Sequence, residues 1–255
     1  MKIFGVIPAR MAASRFPGKP LKLIKGKPML EHVFKRAEMF KKWNNLVIAT
    51  CDKEIKKFSQ IKGYNCVMPS KKHTRCLDRV FEATKKLHKK PSNNDLVVCV
   101  QGDEPMLHPK MIEAVVNPLI RSKKISGTVL AMKIIHSSQF FNPDIVKIVH
   151  DIKGQILYTS RSPIPYCKKF SKRLNAKRIG GILAFKYFFL KEYFKLKPSP
   201  LEITESCDTN RICDNGGGMY IAPIKYSPYF SVDSPSDLKL VNRAISKDTL
   251  WKKYK

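Results

Sequence analysis

A chain of 255 residues, 43% of them apolar, is long enough to bury a large core and too apolar for wholesale disorder. Its 49 Lys and Arg against 20 Asp and Glu give a net charge of +29, which points toward phosphorylated or otherwise anionic ligands. The positive charges run along nearly the whole chain, and pairs such as Lys71-Lys72 and Lys123-Lys124 read as solvated faces, so nucleic acid is not the expected main partner. The seven cysteines form no CxxC pair and are odd in number, which argues against a disulfide scaffold or a structural zinc site. No segment approaches the roughly 20 apolar residues of a membrane span. The N-terminal stretch opens on a strand-like run without a cleavage pattern, so a cytoplasmic, reducing location is the expectation.

In chain order, residues 3–7 read as a strand and residues 28–40 as a helix with Met29, Leu30, Val33, Phe34, Ala37 and Phe40 on one face. A strand follows over 46–50, a short helix over 53–61 and a strand over 66–68. Leu77, Val80, Phe81, Thr84 and Leu87 mark a further helix. Residues 96–100 form a nearly continuous apolar strand with Cys99 inside the core, and Met111, Ile112, Val115, Val116 and Leu119 mark the next helix. This alternation predicts an α/β layer with a mostly parallel central sheet flanked by helices. In such a sheet, ligands bind beyond the carboxyl ends of the strands.

The second half is less regular. Residues 128–134, 144–149 and 155–159 read as strands, 162–177 as a turn-rich basic stretch, and 182–185 as another strand. A helix over 186–196 is stopped by Pro198-Ser199-Pro200, and another starts at Leu201. A turn at Asn215-Gly216-Gly217-Gly218 leads to a strand over 219–222. Ser234 is the expected N-cap of a closing helix with Leu238, Val241 and Ile245 buried. These strands are expected to join the same body and to form a small lobe over the site.

Three segments carry chemistry. The first runs from Ile7 to Pro20, where a strand ends in small residues, then Arg10, Arg15, a Pro17-Gly18 turn and Lys19. Small residues let backbone N–H groups approach an anion, and the three cations suit a polyphosphate. Neither a Walker loop nor a GxGxxG is present, and an ordinary basic loop is the alternative. The second is Val100-Gln101-Gly102-Asp103-Glu104-Pro105, where a buried strand ends in adjacent acids. Hard oxygen ligands at a strand end suit Mg²⁺, while an acid capping the helix near Pro109 is the alternative. The third is Ser231-Val232-Asp233-Ser234-Pro235, in which Asp233 could fold back against Asp103 as a second metal ligand. Asp237 is expected in the first turn of the closing helix, where the dipole favours it.

With these segments the chain resembles the sugar-acid cytidylyltransferases of the nucleotide-diphospho-sugar transferase-like fold, above all the 3-deoxy-manno-octulosonate (Kdo) cytidylyltransferases. The resemblance extends through Gly26-Lys27-Pro28-Met29, Asn142-Pro143, Val146-Lys147, Ser160-Arg161, Ile164-Pro165 and Ser199-Pro200-Leu201-Glu202. It implies a cytoplasmic, homodimeric enzyme that transfers CMP from CTP to a sugar acid with Mg²⁺. It also implies a nucleotide-binding half over about 1–125, an acceptor-binding and dimerisation half over about 126–230, and a closing helix over about 235–247. Arg10, Arg15 and Lys19 match the triphosphate-binding residues, and Pro8, Ala9, Arg79 and Gln101 complete the nucleotide site. Asp103 and Asp233 match the Mg²⁺-binding aspartates, and Arg161 and Asp208 match positions near the acceptor.

The acceptor half departs from the family pattern. The family's His-x-Ser-Gly-Thr-(Asp/Glu)-Arg reads His73-Thr74-Arg75-Cys76-Leu77-Asp78-Arg79, which also places Arg75 beside the acceptor. Ile179 stands at a family histidine, Asp208 at a glutamate and Thr209 at a glutamine. These changes leave open an acid other than Kdo: neuraminate-like, amino-modified or a phosphonate. A basic binding protein without activity is a further alternative. No general base is assigned, with His73 a candidate of little support.

Overall fold

A computed structural model describes residues 1–12, 15–88, 90–225 and 231–255. In chain order the elements begin β1 (Ile3–Pro8), β2 (Leu23–Ile24), β3 (Lys27–Pro28), α1 (Met29–Glu38), β4 (Asn45–Ala49), α2 (Lys53–Ile61), β5 (Cys66–Val67) and α3 (Cys76–Leu87). They continue β6 (Leu96–Val100), α4 (Pro109–Arg121), β7 (Gly127–Lys133), α5 (Ser137–Phe141), β8 (Lys147–His150) and β9 (Ile156–Ser160). The last are β10 (Lys177–Lys186), α6 (Tyr187–Lys195), α7 (Pro200–Glu205), α8 (Asp208–Asp214), β11 (Tyr220–Ile224) and α9 (Pro235–Ala244).

The main sheet runs β11-β7-β10-β6-β1-β4-β5, with the β8–β9 hairpin attached to β10. Along that path only β10 is reversed, so the sheet is mostly parallel, as the alternation of elements predicts. Side chains alternate across it. Ile7, Val98 and Val100 face a layer formed with α1, α2 and α4, whereas Val6, Val97 and Cys99 face α3, α6 and α8. A helix-covered sheet has no wet face, which is why β6 is a run of five buried apolar residues.

The observed elements refine the sequence expectations. The strand expected over 182–185 is the end of the ten-residue β10. Its register shifts between Ile179 and Leu183, where Gly180 and Gly181 lie. The helix expected from Leu201 is two short helices, because Ser206 adopts a left-handed φ of 52° and ends α7. The small lobe comprises α5 and the basic stretch around a separate cluster of Ile134, Phe140 and Ala176, while the β8–β9 hairpin packs Ile148 and Ile156 into the main core. The closing helix has the expected start: the Ser234 side chain accepts from Asp237 N, and Asp237 accepts in return.

The C-terminal tail is locked to α1 through a buried relay. Arg36 Nε donates to Tyr254 Oη at 2.7 Å. Tyr254 Oη lies 3.0 Å from His32 Nδ1, and His32 Nε2 lies 2.8 Å from the Ile24 carbonyl. Only the Nε2–H tautomer satisfies all three contacts, with Tyr254 donating to Nδ1. Burial pulls the His32 pKa down to about 4, so the ring is neutral in the fold. The unfolded chain protonates the same ring near pH 6.5. Stability is therefore fully supported above about pH 6.5 and falls as pH drops toward 4, by about 3 kcal/mol from this one group. Urea unfolding of the wild-type chain and of His32→Gln at pH 7 and pH 4.5 measures this. The expected result is a smaller acid-induced loss in His32→Gln, and equal losses would remove His32 as the source.

Candidate functional site

The order of the strands fixes where a ligand sits. β1 lies between β4 and β6, so the direction of strand succession reverses at β1 and opens a crevice beyond its carboxyl end. The first two motifs leave the sheet at this crevice, Ala9-Arg10 from β1 and Gln101-Gly102-Asp103 from β6. Gly102 allows the close approach, since a Cβ there would lie 2.8 Å from the Pro8 carbonyl oxygen. The basic loop closes on itself, with Gly18 N donating to Met11 O at 2.9 Å, and is anchored by Met11 N donating to Asp52 Oδ2. Ala13 and Ser14 of this motif lie outside the described residues.

The third motif folds onto the second. Val232 N donates to Asp103 O at 2.9 Å, which sets the Asp233 carboxylate beside that of Asp103. Lys19 Nζ lies 2.7 Å from Asp103 Oδ2, 3.0 Å from Val232 O and 3.5 Å from Asp233 Oδ1. Burial pulls the Lys19 pKa down, but the two carboxylates more than reverse this and hold it above its ordinary value. Burial and the Asp103 charge raise the pKa of Asp233. Arg15 reaches Asp233 Oδ1 at 2.9 Å and also pairs with Asp144, joining the loop to the chain just before β8.

Pro8, Ala9, Arg10, Arg15, Lys19, Arg79, Gln101, Asp103 and Asp233 all line one recess of about 230 Å³. Every residue expected to bind nucleotide or metal is thus brought together. Two buried atoms in the recess have no partner among the described residues, the donor Arg79 Nε and the acceptor Asp103 Oδ1. Such groups cost about 1–3 kcal/mol each, so the recess favours a ligand that presents an anion to one and a cation to the other. Among the described residues no group of three or more His, Cys, Asp or Glu is placed to hold a metal. Two carboxylates, one with an unused oxygen, nonetheless fit a Mg²⁺ that keeps waters and takes its remaining ligands from phosphates.

The recess opens into a larger cleft of about 1220 Å³, which contains Arg75, Arg161, Ile179 and Asp208, the residues expected near the acceptor. The Arg161 guanidinium donates to the carbonyls of Glu205 at 2.8 Å and Pro143 at 2.9 Å, which fixes its plane. Asp208 Oδ2 accepts from Leu77 N at 2.9 Å and so caps the first turn of α3. Burial raises its pKa, and the Leu77 N–H partly offsets this. Arg75 lines the cleft on its α7 side, donating to Ser206 Oγ at 2.9 Å and to the Glu202 carbonyl. Ile179, Leu77 and Leu183 give the cleft an apolar stretch. The Thr209 hydroxyl is occupied by Thr159 at 2.9 Å and Cys207 at 3.0 Å.

The structure corrects two sequence readings and adds three groups. His73 does not line the cleft: its ring is paired with Glu82, so it is no candidate for a base. The acid pair after β6 does not cap α4, whose N-cap is the His108 side chain. Glu104 is buried against Gly181, where a Cβ would lie 2.1 Å from its carboxyl oxygen. Lys147 is buried and donates to the carbonyls of Asn142, Ile145 and Arg161, tying the loop that carries Asp144 to the strand end that carries Arg161. Arg211 is buried between Glu202, at 2.7 Å, and Asp78, at 3.0 Å, behind the acceptor wall. The signal for Lys147 and Arg211 was a cation inside an otherwise apolar periodic segment, and it is weak in a chain so rich in lysine. The Gly180-Gly181 pair was the one sign of the space kept for Glu104.

This architecture has known counterparts. The cytidylyltransferase family profile matches residues 4–221. The 3-deoxy-manno-octulosonate cytidylyltransferase of Thermodesulfovibrio yellowstonii is 36% identical over 249 residues, covering 94% of this chain and 97% of that protein. Its namesake in Haemophilus influenzae is 34% identical over 253 residues, covering 95% and 98%. The solved structure of CMP:2-keto-3-deoxy-manno-octonic acid synthetase complexed with CTP superposes with a TM-score of 0.86 at 30% identity, covering 97% and 99% of the two chains. A 4-diphosphocytidyl-2C-methyl-D-erythritol synthase from Anaerococcus prevotii, at 14% identity and a TM-score of 0.63, shares the fold. With nearly its full length matched by these relatives, the chain belongs to the cytidylyltransferase family, among the 3-deoxy-manno-octulosonate cytidylyltransferases.

Proposed function

We propose that this chain transfers CMP from CTP to the anomeric hydroxyl of a Kdo-like sugar acid and releases pyrophosphate. The observation that carries this reading is the continuity of the two compartments. Arg10, Arg15, Cys76, Gln101, Asp103 and Asp233 line both the basic recess and the larger cleft, so a nucleotide in one meets an acceptor in the other.

In this reading Arg10, Arg15 and Lys19 neutralise the triphosphate and hold the charge that gathers on the departing pyrophosphate. Arg79 meets the nucleotide with its unpartnered Nε, and Pro8, Ala9 and Gln101 orient base and ribose. Arg161, already fixed by two carbonyls, receives the acceptor carboxylate, and Asp208 keeps the α3 end of the acceptor pocket in place. The acceptor hydroxyl then attacks the α-phosphorus in line with the pyrophosphate oxygen. Cytidylyltransferases use a divalent cation. Mg²⁺ held by Asp103 and Asp233 would supply charge neutralisation at the phosphates and lower the proton affinity of the attacking oxygen.

By this assignment residues 1–125 bind nucleotide, 126–230 bind acceptor and form the contact of a homodimer, and the closing helix over 235–247 carries Asp233 into place. Support for the dimer contact is the exposed Leu157 on the β8–β9 hairpin. Among those residues no helix is long and apolar enough to cross a membrane. A second reading, CMP transfer to a different acid, draws on the apolar lining by Leu77, Ile179 and Leu183 and on the committed hydroxyl of Thr209. A substrate hydroxyl aimed at such a wall is left unpaired, which discriminates strongly between acceptors.

Three outcomes test the assignment. Asp103→Asn should stay folded, as read by circular dichroism, yet lose at least about 100-fold in pyrophosphate release with saturating Mg²⁺, a loss typical of a missing electrostatic group; near-normal turnover would remove Asp103 from the site. CTP should be used well ahead of ATP, GTP and UTP in parallel steady-state assays, and equal use of ATP would end the cytidylyl reading. Arg161→Ala should raise the KM for the acceptor by the equivalent of about 2–5 kcal/mol while the KM for CTP changes little. Running that assay with Kdo, amino-modified Kdo, neuraminate and simple phosphonates separates the two acceptor readings.

A further inference from the structure

Two thiols meet at the floor of the cleft, and the reaction uses neither. Cys76 Sγ and Cys99 Sγ are 3.6 Å apart, although the residues are 23 positions apart in sequence. Cys99 is buried in β6, two residues before Gln101, and lies within the helix-covered core. Cys76 is the first residue of α3, is partly exposed, and lines both the nucleotide recess and the acceptor cleft. One sulfur is therefore open to a small solute and the other is a neighbour with no solvent path of its own. Among the described residues the remaining cysteines, Cys51, Cys66, Cys167, Cys207 and Cys213, are free thiols that line neither compartment except Cys207.

We propose that Cys76 and Cys99 form a reversible disulfide under peroxide, and that this bond shuts the cleft. A peroxide such as H₂O₂ oxidises the Cys76 thiol to a sulfenic acid and is itself reduced to water. The Cys99 sulfur then attacks the Cys76 sulfur, the sulfenic hydroxyl leaves, and the Cys99 proton departs with it as a second water. Overall two thiols lose two electrons and two protons to one peroxide. A dithiol reductant reverses the change by thiol–disulfide exchange. The hydrogen bond to Cys76 and burial push the Cys99 thiol well above its usual pKa, so it stays protonated and the partly exposed Cys76, which peroxide can reach, is oxidised first.

The mechanical consequence follows from what Cys76 carries. Bonding requires the sulfurs to close from 3.6 Å to about 2.05 Å, which draws the first turn of α3 onto the end of β6. That turn holds Leu77 N on Asp208 and Arg75 on Ser206, and the next turn holds Arg79 in the nucleotide recess. Both compartments are displaced at once, and misplacements of about 1 Å at a reacting centre cost about 100-fold in rate.

The test uses the purified chain, treated with H₂O₂, blocked at remaining thiols, digested and mapped by mass spectrometry. The expected result is a Cys76–Cys99 linked peptide short of two hydrogens, with turnover reduced at least about tenfold and both restored by dithiothreitol. CTP present during oxidation should slow the linkage, because Cys76 lines its recess. Cys99→Ala should retain untreated turnover, give no linked peptide, and leave Cys76 to be trapped as a sulfenic acid by dimedone. Oxidation of Cys76 without the linked peptide would overturn the proposal, as would a linked peptide with unchanged turnover. The same inhibition in a Cys76→Ala chain would overturn it too. CTP binding read by thermal shift serves in place of turnover if the chain proves inactive with every acceptor. The linked peptide is read without any assay of CMP transfer, so the two assignments fail separately.

Discussion

The site depends on one ammonium held between two carboxylates. Asp103 and Asp233 come from the end of a central strand and from the loop before the last long helix, 130 positions apart, and would repel at this distance. Lys19, from the basic loop, lies against both. Three parts of the chain with no sequence proximity are thereby pinned to one point, and the main-chain bond from Val232 to Asp103 fixes their register. The same arrangement that keeps the fold closed also gathers the charges a triphosphate and a divalent cation require.

Around that point the protein buries acids and cations together. Among the described residues five acids, Glu31, Asp95, Glu104, Glu202 and Glu205, are buried together with six cationic side chains, Arg36, Arg79, Lys147, Arg178, Lys186 and Arg211. Glu205 illustrates the use: it accepts from Tyr158, Ser160 and the backbone of Arg161, and these bonds outweigh burial to hold its pKa below the usual carboxylate range. Glu202 holds Arg211 behind the acceptor wall through an ion pair at 2.7 Å. The buried charges nearly cancel, so the net charge of +29 is carried almost wholly by the surface.

How much was legible depended on whether the signal was local. β6 and the helices α1 to α4 were readable because burial against a covered sheet imposes a period of two or 3.6 on the residues themselves. The capping box at Ser234 was readable because its partners lie three residues apart. β10 was readable only at its apolar end, since its first half is cationic and its Gly180-Gly181 break answers to Glu104 in the loop after β6. The division of the helix after Pro200 turns on the left-handed φ of Ser206, a residue type that gives no warning of it.

The sequence by itself determined the α/β class, the sheet's strand-end loops and the choice of Arg10, Arg15, Lys19, Asp103 and Asp233, which all line the recess. Each of these rests on residue type and short-range spacing. Tertiary structure alone decided that Lys19 lies between Asp103 and Asp233, that Arg161 is fixed by carbonyls while Arg75 turns toward α7, and that His73 belongs to Glu82. It also decided that Cys76 faces Cys99. These are contacts across long sequence separations, set by strand order and loop closure, and a one-residue change of register would move any of them to the other face of the sheet.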